Sequence, residues 1–386
     1  MPSDVLERAL VSSVPVEAPT PSSAEWSVYT LAPKSAFNFG PRGYGAQRRL
    51  GLFPSDSLFS ALCTQLRELR GRSALEQLLD EFIAGDPPFL VSGLFPRLGP
   101  VQLLPRPATP PVGHDTQTNG RLDYRTFTRL EWLSWPIFAR WIGGAAEPDS
   151  AAPPAAAQGG TMRLAADEHR QAAEARALIR QGPAGGAIAW QHGQRTRTVT
   201  GRDGRGVRAY TRSTTSFAPG TRLSVFVAWR RDDWREVLEQ TLAALGDGGL
   251  GTDRGVGHGH FSVESTETRP VPQLPGANGL VTFALLCPTR PELAAGLLAH
   301  RDAAWTLVER GGRAGSPEAA GQRRQRVTML AAGAVVASPA DSRAGWLGQL
   351  VDVTPDPAPG HRVWRYGFAF GWPLRLPPAD APPQTE

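Results

Sequence analysis

Arg222-Leu-Ser-Val-Phe-Val-Ala-Trp229, Asp233-Trp-Arg-Glu-Val-Leu-Glu-Gln-Thr-Leu-Ala-Ala-Leu245 and Gly246-Asp-Gly-Gly-Leu-Gly-Thr-Asp-Arg-Gly-Val-Gly-His-Gly-His260 are three neighbouring runs that carry the fold. The first is rich in β-branched and aromatic residues and reads as a strand. In the second, Asp233-Trp-Arg-Glu236 has the form of a capping box with Asp as the cap. Trp234, Val237, Leu238, Thr241, Leu242 and Leu245 then fall on one helical face. The third places seven glycines in fifteen residues and leads into a strand expected at His260–Glu264.

The same order appears upstream. Trp26–Ala32 reads as a strand, Asn38–Gly51 is a glycine-rich basic loop, and Pro54-Ser55-Asp56-Ser57 has helix-start chemistry with Ser55 or Asp56 as the cap. Leu58, Leu62, Leu66 and Leu69 share one face of the helix that follows. With strands at Phe89–Phe95 and Val207–Arg212, the first part spells the β-α-β-β-α-β order of a ferredoxin-like fold with a long insertion. That insertion holds a Pro-rich connector (Leu103–Pro111), a partly helical Trp-rich stretch (Leu122–Ile142), an Ala/Pro/Gly linker (Gly143–Gly160) and an Ala-rich helix (Arg163–Arg180). Beyond the connector Arg269–Gly279, strands are expected at Leu280–Cys287, Trp305–Glu309, Val327–Val336 and Val363–Trp372, with a helix at Pro291–Arg301. The expected fold class is α+β, two tandem ferredoxin-like (RRM-like) domains. The boundaries are a tail 1–25, a first domain 26–268 with its insertion at about 100–206, a second domain 269–376 and a tail 377–386.

Composition narrows the chemistry. Of 386 residues, 41% are hydrophobic and 20% charged, which excludes a wholly disordered chain, and 42 glycines with 36 prolines predict many loops. Lys34 is one lysine among 41 basic residues, and its setting fits neither a phosphate-binding P-loop, a kinase lysine nor a Schiff-base lysine. The arginine excess has a bland source in codon bias and a functional one in bidentate phosphate binding, and clustering separates the two. Cys63 and Cys287 stand in apolar surroundings and read as small core residues. No run approaches the roughly 18 apolar residues of a membrane span, and the stretch through Ser23 is no signal peptide, so a cytoplasmic protein is expected.

Alternating glycines before a strand let backbone amides approach an anion, and Arg254 adds a cationic fork; a flexible connector is the competing reading. It is not a dinucleotide fingerprint, because it follows a helix and precedes a strand. His258-x-His260 on a strand puts both rings on one face, to stack on bases or meet phosphate. A metal reading lacks neighbouring Cys or carboxylates at ligand spacing, and a general acid/base role ranks third. Arginines cluster three times. Arg42, Arg48 and Arg49 stand with Phe37, Phe39 and Tyr44; Arg195, Arg197, Arg202, Arg205, Arg208 and Arg212 with Thr and Gly; and Arg310, Arg313, Arg323, Arg324 and Arg326 flank a further loop. Arginine interleaved with aromatics suits RNA. For the third cluster a solvated loop is an equally good reading.

Phe53-Pro-Ser-Asp-Ser-Leu-Phe-Ser-Ala-Leu62 resembles the Pro-Ser-Asp-Thr-Leu-Phe-Ser-Ala motif of the Csm subunit four family, RAMP-superfamily proteins of type III-A CRISPR effectors. Gly249–Phe261 resembles that family's glycine loop, with Thr252 where the family often has glycine. Leu104-Pro-Arg-Pro107, Met329–Val335 and Tyr366-Gly-Phe-Ala-Phe370 match in order, so the resemblance spans about Trp26 to Pro373. The tail before Trp26 and the linker with its helix look like additions, and Arg195–Gly206 matches only loosely. The resemblance implies a non-catalytic antiviral-defence subunit, without cofactor or metal. It would grip the crRNA 5′ handle and dock the large polymerase-like subunit and a backbone RAMP subunit, away from membranes. Candidate RNA-binding residues are Lys34, Phe39, Arg42, Arg48, Arg49, Ser55, Ser57, Arg195, Arg197, Gly251, Thr252, Arg254, Gly257, His258 and His260. In a ferredoxin-like fold the glycine loop before the last strand lies near the first helix, so both glycine loops and the Ser57 end are expected to share one groove. The alternatives are the equivalent Cmr-type III-B subunit, or a RAMP-family crRNA-processing endoribonuclease using His258 or His260.

Overall fold

A computed structural model describes residues 25–39, 52–111, 124–143, 155–181, 186–200, 207–319, 321–337 and 346–377. Strand β1 (Glu25–Pro33) leads to helix α1 (Ser55–Ile83), then β2 (Phe89–Val91), β3 (Phe95–Leu98) and β4 (Val101–Pro105). An inserted region holds α2 (Tyr124–Arg129), β5 (Trp132–Ser134), α3 (Trp135–Gly143), β6 (Ala155–Ala157), β7 (Met162–Leu164) and α4 (Ala166–Glu174). The short pair β8 (Ile179–Arg180) and β9 (Ala187–Ile188) and the long hairpin β10 (Trp190–Thr200) and β11 (Val207–Phe217) end it. Strand β12 (Thr221–Trp229), α5 (Arg235–Gly248) and β13 (Phe261–Pro270) complete the first half.

The main sheet runs β13-β1-β12-β3-β4-β5-β7-β6, with β2 also pairing β12. Strand β1 lies inside it, Trp26 facing Ala228 on one side and Arg269 on the other. Trp26 through Leu31 are all buried, as a strand covered on both faces must be. Alternation sends Trp26 to one face, where its ring meets Phe283 at 5.4 Å and Phe370 at 6.2 Å. Tyr29 goes to the other, where its hydroxyl donates to Glu239 of α5 at 2.9 Å.

Leu58, Leu62 and Leu66 are buried on α1 as their spacing predicts, but Leu69 is 45% exposed. The helix breaks at Gly71, whose φ of 84° favours glycine, and Leu78 and Phe82 take over the apolar contacts beyond it. Neither expected cap forms. The N-cap positions are Pro54 for α1 and Trp234 for α5, without side-chain cap bonds. Ser55 and Asp56 already sit in the first turn of α1 with other partners, and Asp233 lies 3.7 Å from Arg231. The expected connector at Leu103–Pro111 begins as sheet, in β4.

The second half contains β14 (Gly279–Thr282), α6 (Arg290–Ala294), β15 (Leu307–Arg310), β16 (Val327–Leu330), β17 (Val335–Ala337), β18 (Leu347–Asp352), β19 (Trp364–Ala369) and β20 (Gly371–Leu374). Four strands of a second ferredoxin-like domain are expected here from the sequence. Among the described residues the strands divide into β17-β14-β20, β15-β16 and β18-β19. The segment from β14 onward links them: Leu286 exchanges backbone hydrogen bonds with Leu330 (3.0 and 2.8 Å), and the Cys287 amide donates to Gly367 (2.8 Å). The expected helix to Arg301 is only the five-residue α6, followed by turns. The two halves share one hydrophobic cluster. Tyr366 of β19 stacks on Phe59 of α1 at 4.7 Å, and its hydroxyl accepts from the Val91 amide at 3.0 Å. This packing fixes the position of the second half against the start of α1. Among the described residues no helix is long and apolar enough to cross a membrane.

A candidate nucleic-acid groove between the halves

The α1 start, the glycine loop and the β15–β16 arginines converge on an open groove of about 740 Å³. Phe39 and Ser57 line it beside Gly251, Thr252 and Arg254, so the start of α1 and the Arg254 loop lie on one face. The loop is shaped by glycine. Gly251 has φ of 94°, and a Cβ there would stand 2.5 Å from the Asn38 carbonyl oxygen. Closeness is possible only without a side chain, and it allows the Thr252 amide (2.8 Å) and hydroxyl (3.1 Å) both to donate to that oxygen. Asp253 ties the loop down. It accepts from Asn38 Nδ2 at 2.7 Å and pairs with Arg212 of β11 at 2.6 Å.

Among the described residues, six arginines line the groove, Arg254, Arg310, Arg313, Arg323, Arg324 and Arg326, against one carboxylate, Glu309, which pairs with Arg326 at 3.0 Å. Five of the six belong to the cluster for which the sequence left a solvated loop open, and none was among the candidate site residues. Their clustering was visible. The pairing of β15 with β16, Arg310 opposite Val327, and the bridge between Arg313 and Arg323 were not.

The three residues that open α1 bind the second half rather than capping the helix. Ser55 Oγ, buried, accepts from the Leu285 amide at 3.0 Å, and Ser55 does not line the groove. Asp56 is 2% exposed and accepts from Arg310 Nε and Nη2, each at 3.0 Å, and from Arg365 Nη1. Ser57 Oγ accepts from Arg310 Nη2 at 3.0 Å and remains at the groove wall. Burial favours neutral Asp56, yet attraction to Arg310 and Arg365 outweighs it and holds the carboxyl below its ordinary range. Arg324 stands beside this group, its proton affinity brought down to about 10 by burial and by repulsion from Arg365.

The other candidates are distributed differently. His258 and His260 precede β13 rather than alternate along it, with Gly259 between them at φ of 81°. His258 is buried, its Nδ1 3.1 Å from the Ala36 carbonyl oxygen, and the His260 amide donates to Ser35 Oγ at 3.0 Å. Neither lines the groove, and because both lie before β13 the strand alternation behind the shared-face expectation does not apply to them. Gly257 (φ of 85°) turns the loop, and Lys34 is exposed where its amide donates to His260 at 2.8 Å; neither lines the groove. Arg195 and Arg197 lie on β10, opposite Arg212 and Tyr210. Arg42, Arg48 and Arg49 lie outside the described residues. Among the described residues no group of three or more His, Cys, Asp or Glu is placed to hold a metal.

Residues 276–374 match the model of the CRISPR Csm4 C-terminal domain family. No curated protein matches the chain. The chain is similar to a chain in the crystal structure of the Csm3–Csm4 subcomplex of the type III-A CRISPR–Cas interference complex. That match has 14% identity and a TM-score of 0.57, over 90% of this chain and 98% of that one. It is also similar to chains of the Csm1–Csm4 cassette in complex with pppApA (17% identity, TM-score 0.52) and with cA4 (17%, 0.53). Both of these cover 92% of this chain and 99% of the other. At these identities the structural likeness shows the fold; with the domain match it supports a Csm4 family assignment.

Proposed function

We propose that this chain is the Csm4-type, non-catalytic RNA-binding subunit of a type III-A CRISPR effector. It holds the crRNA 5′ handle in the groove between its halves and docks a large Csm1-type subunit and a Csm3-type backbone subunit. The observation that carries the reading is the groove itself: among the described residues, six arginines face one paired carboxylate, with phenylalanine and glycine-loop backbone along the wall. Guanidiniums match phosphate oxygens in a planar fork, and an aromatic ring accepts a base of any sequence. The solved relatives are Csm3–Csm4 and Csm1–Csm4 assemblies, which supports the choice of protein partners. The tandem ferredoxin-like description belongs to the same proposal. It is supported by the order β13-β1-β12-β3 around β1, and by a segment after β14 that touches both β16 and β19.

Purification of the tagged chain with its effector operon tests this directly. The reading expects a large subunit, a backbone subunit and handle-bearing crRNA to co-purify. Incubation of the isolated chain with repeat RNA should give binding without cleavage. Cleavage dependent on His258 or His260 would favour the processing endoribonuclease instead.

A further inference from the structure

Around the start of α1, at the seam between the halves, the described residues place one buried carboxylate, Asp56, beside three guanidiniums of the second half, Arg310, Arg324 and Arg365. Asp56 pairs with both Arg310 and Arg365. Arg324, the third, is half-buried, and its Nε is shut off from solvent with no hydrogen-bond partner. Among the described residues no carboxylate stands within ion-pair distance of it. Arg365 is 2% exposed, its own Nε also lacks a partner, and its field pushes against Arg324. Like charges withdrawn from water with too few counter-charges weaken a folded state. The positive end of the α1 dipole adds to the same excess. Arg310, Arg324 and Ser57 all reach the wall of the groove, so an anion there can meet the uncompensated group without any rearrangement of the core.

We infer that one backbone phosphate of a bound RNA strand seats on Arg324 beside Arg310 and Ser57, supplies the negative charge missing from the seam, and thereby tightens the packing of the two halves. A phosphodiester fits because its two free oxygens meet a guanidinium fork, and because its single charge halves the excess that one carboxylate leaves against three guanidiniums. The inference rests on the RNA-binding reading above and adds to it a coupling between RNA occupancy and the stability of the fold. The seat is formed by both halves, so RNA bound there is worth more to the packed chain than to either half alone.

The consequence is a trade-off located at one residue. Arg324→Gln removes one positive charge of that excess, the one without a carboxylate partner, and should raise the thermal midpoint of the full chain without ligand. The same change should weaken handle-RNA binding about tenfold, the loss of roughly one charge-assisted hydrogen-bonded contact. It should also lower the salt slope by roughly 0.7 and abolish most of the midpoint rise that RNA gives the wild type. Arg324→Lys keeps the charge and should keep the low ligand-free midpoint and part of the RNA-induced rise. Arg326→Gln, at the groove rim in an exposed pair with Glu309, should lower the salt slope without raising the ligand-free midpoint.

The experiment measures melting of the full chain with no ligand, with inorganic phosphate, and with single-stranded handle RNA. A lower ligand-free midpoint for Arg324→Gln, or an RNA-induced rise equal to the wild type's, would overturn the seat while leaving RNA binding in place. If RNA is inert on the wild type, the RNA-binding reading fails. If inorganic phosphate then raises the midpoint through Arg324, the seat belongs to a free phosphate or nucleotide, and the strand assignment is overturned with it.

Discussion

Asp56→Asn is the substitution that the seam makes most consequential. Asparagine keeps the shape of the side chain but replaces one acceptor oxygen with a donor, so a donor then faces an arginine donor at a site 2% exposed. Three charge-assisted bonds, two from Arg310 and one from Arg365, lose their anionic acceptor. Summing them at about 1.5–3 kcal/mol each overshoots, because one oxygen remains and the bonds are not independent. The appropriate magnitude is that of a buried pair losing one partner, about 3–5 kcal/mol, since Arg310, Arg365 and Arg324 are then left together without a counter-charge. Urea unfolding followed by tryptophan fluorescence reads this as a lower midpoint with the transition of the second half most affected. The pH dependence gives an independent check. The folded carboxyl titrates below its unfolded value of about 3.9, although burial opposes this, because Arg310 and Arg365 attract the anion. The advantage of the wild type over Asp56→Asn is therefore present above the unfolded value and shrinks as pH falls through the lower folded value. A loss under about 1 kcal/mol at neutral pH, or a difference unchanged on acidification, would refute the view that this carboxylate pins the two halves.

Ser55→Ala should cost about 1–3 kcal/mol in the same unfolding assay, because the buried Leu285 amide loses its acceptor; Ser57→Ala, at the groove wall, should instead weaken handle binding modestly with little change in midpoint. Gly251→Ala meets both a φ of 94° and the Asn38 carbonyl oxygen, so RNA affinity measured by filter binding should fall several-fold as the Thr252–Asn38 contact opens. Replacing both His258 and His260 by alanine should leave target cleavage by the assembled effector intact apart from assembly losses; abolished cleavage with normal assembly would contradict a non-catalytic role.

The sequence alone determined the local pieces. Strand β1, the leucine face of α1 and the apolar face of α5 are set by period and composition, which depend on neighbours a few residues apart. The glycine loop was legible for the same reason: a position that needs positive φ or close backbone approach announces itself by glycine. Caps were read wrongly because Ser55 and Asp56 have helix-start chemistry whether or not a distant partner claims them. Only the tertiary structure decided that claim. Arg310 and Arg365 lie 254 and 309 residues from Asp56, and nothing local in the chain distinguishes a paired arginine from a solvated one. The groove follows from the same kind of fact. Its glycine loop was foreseeable from spacing, whereas its arginine wall exists because a shared aromatic core, Tyr366 stacked on Phe59, brings the second half against the start of α1. Packing across such separations is set by shape and charge in three dimensions, and no period in the sequence encodes it.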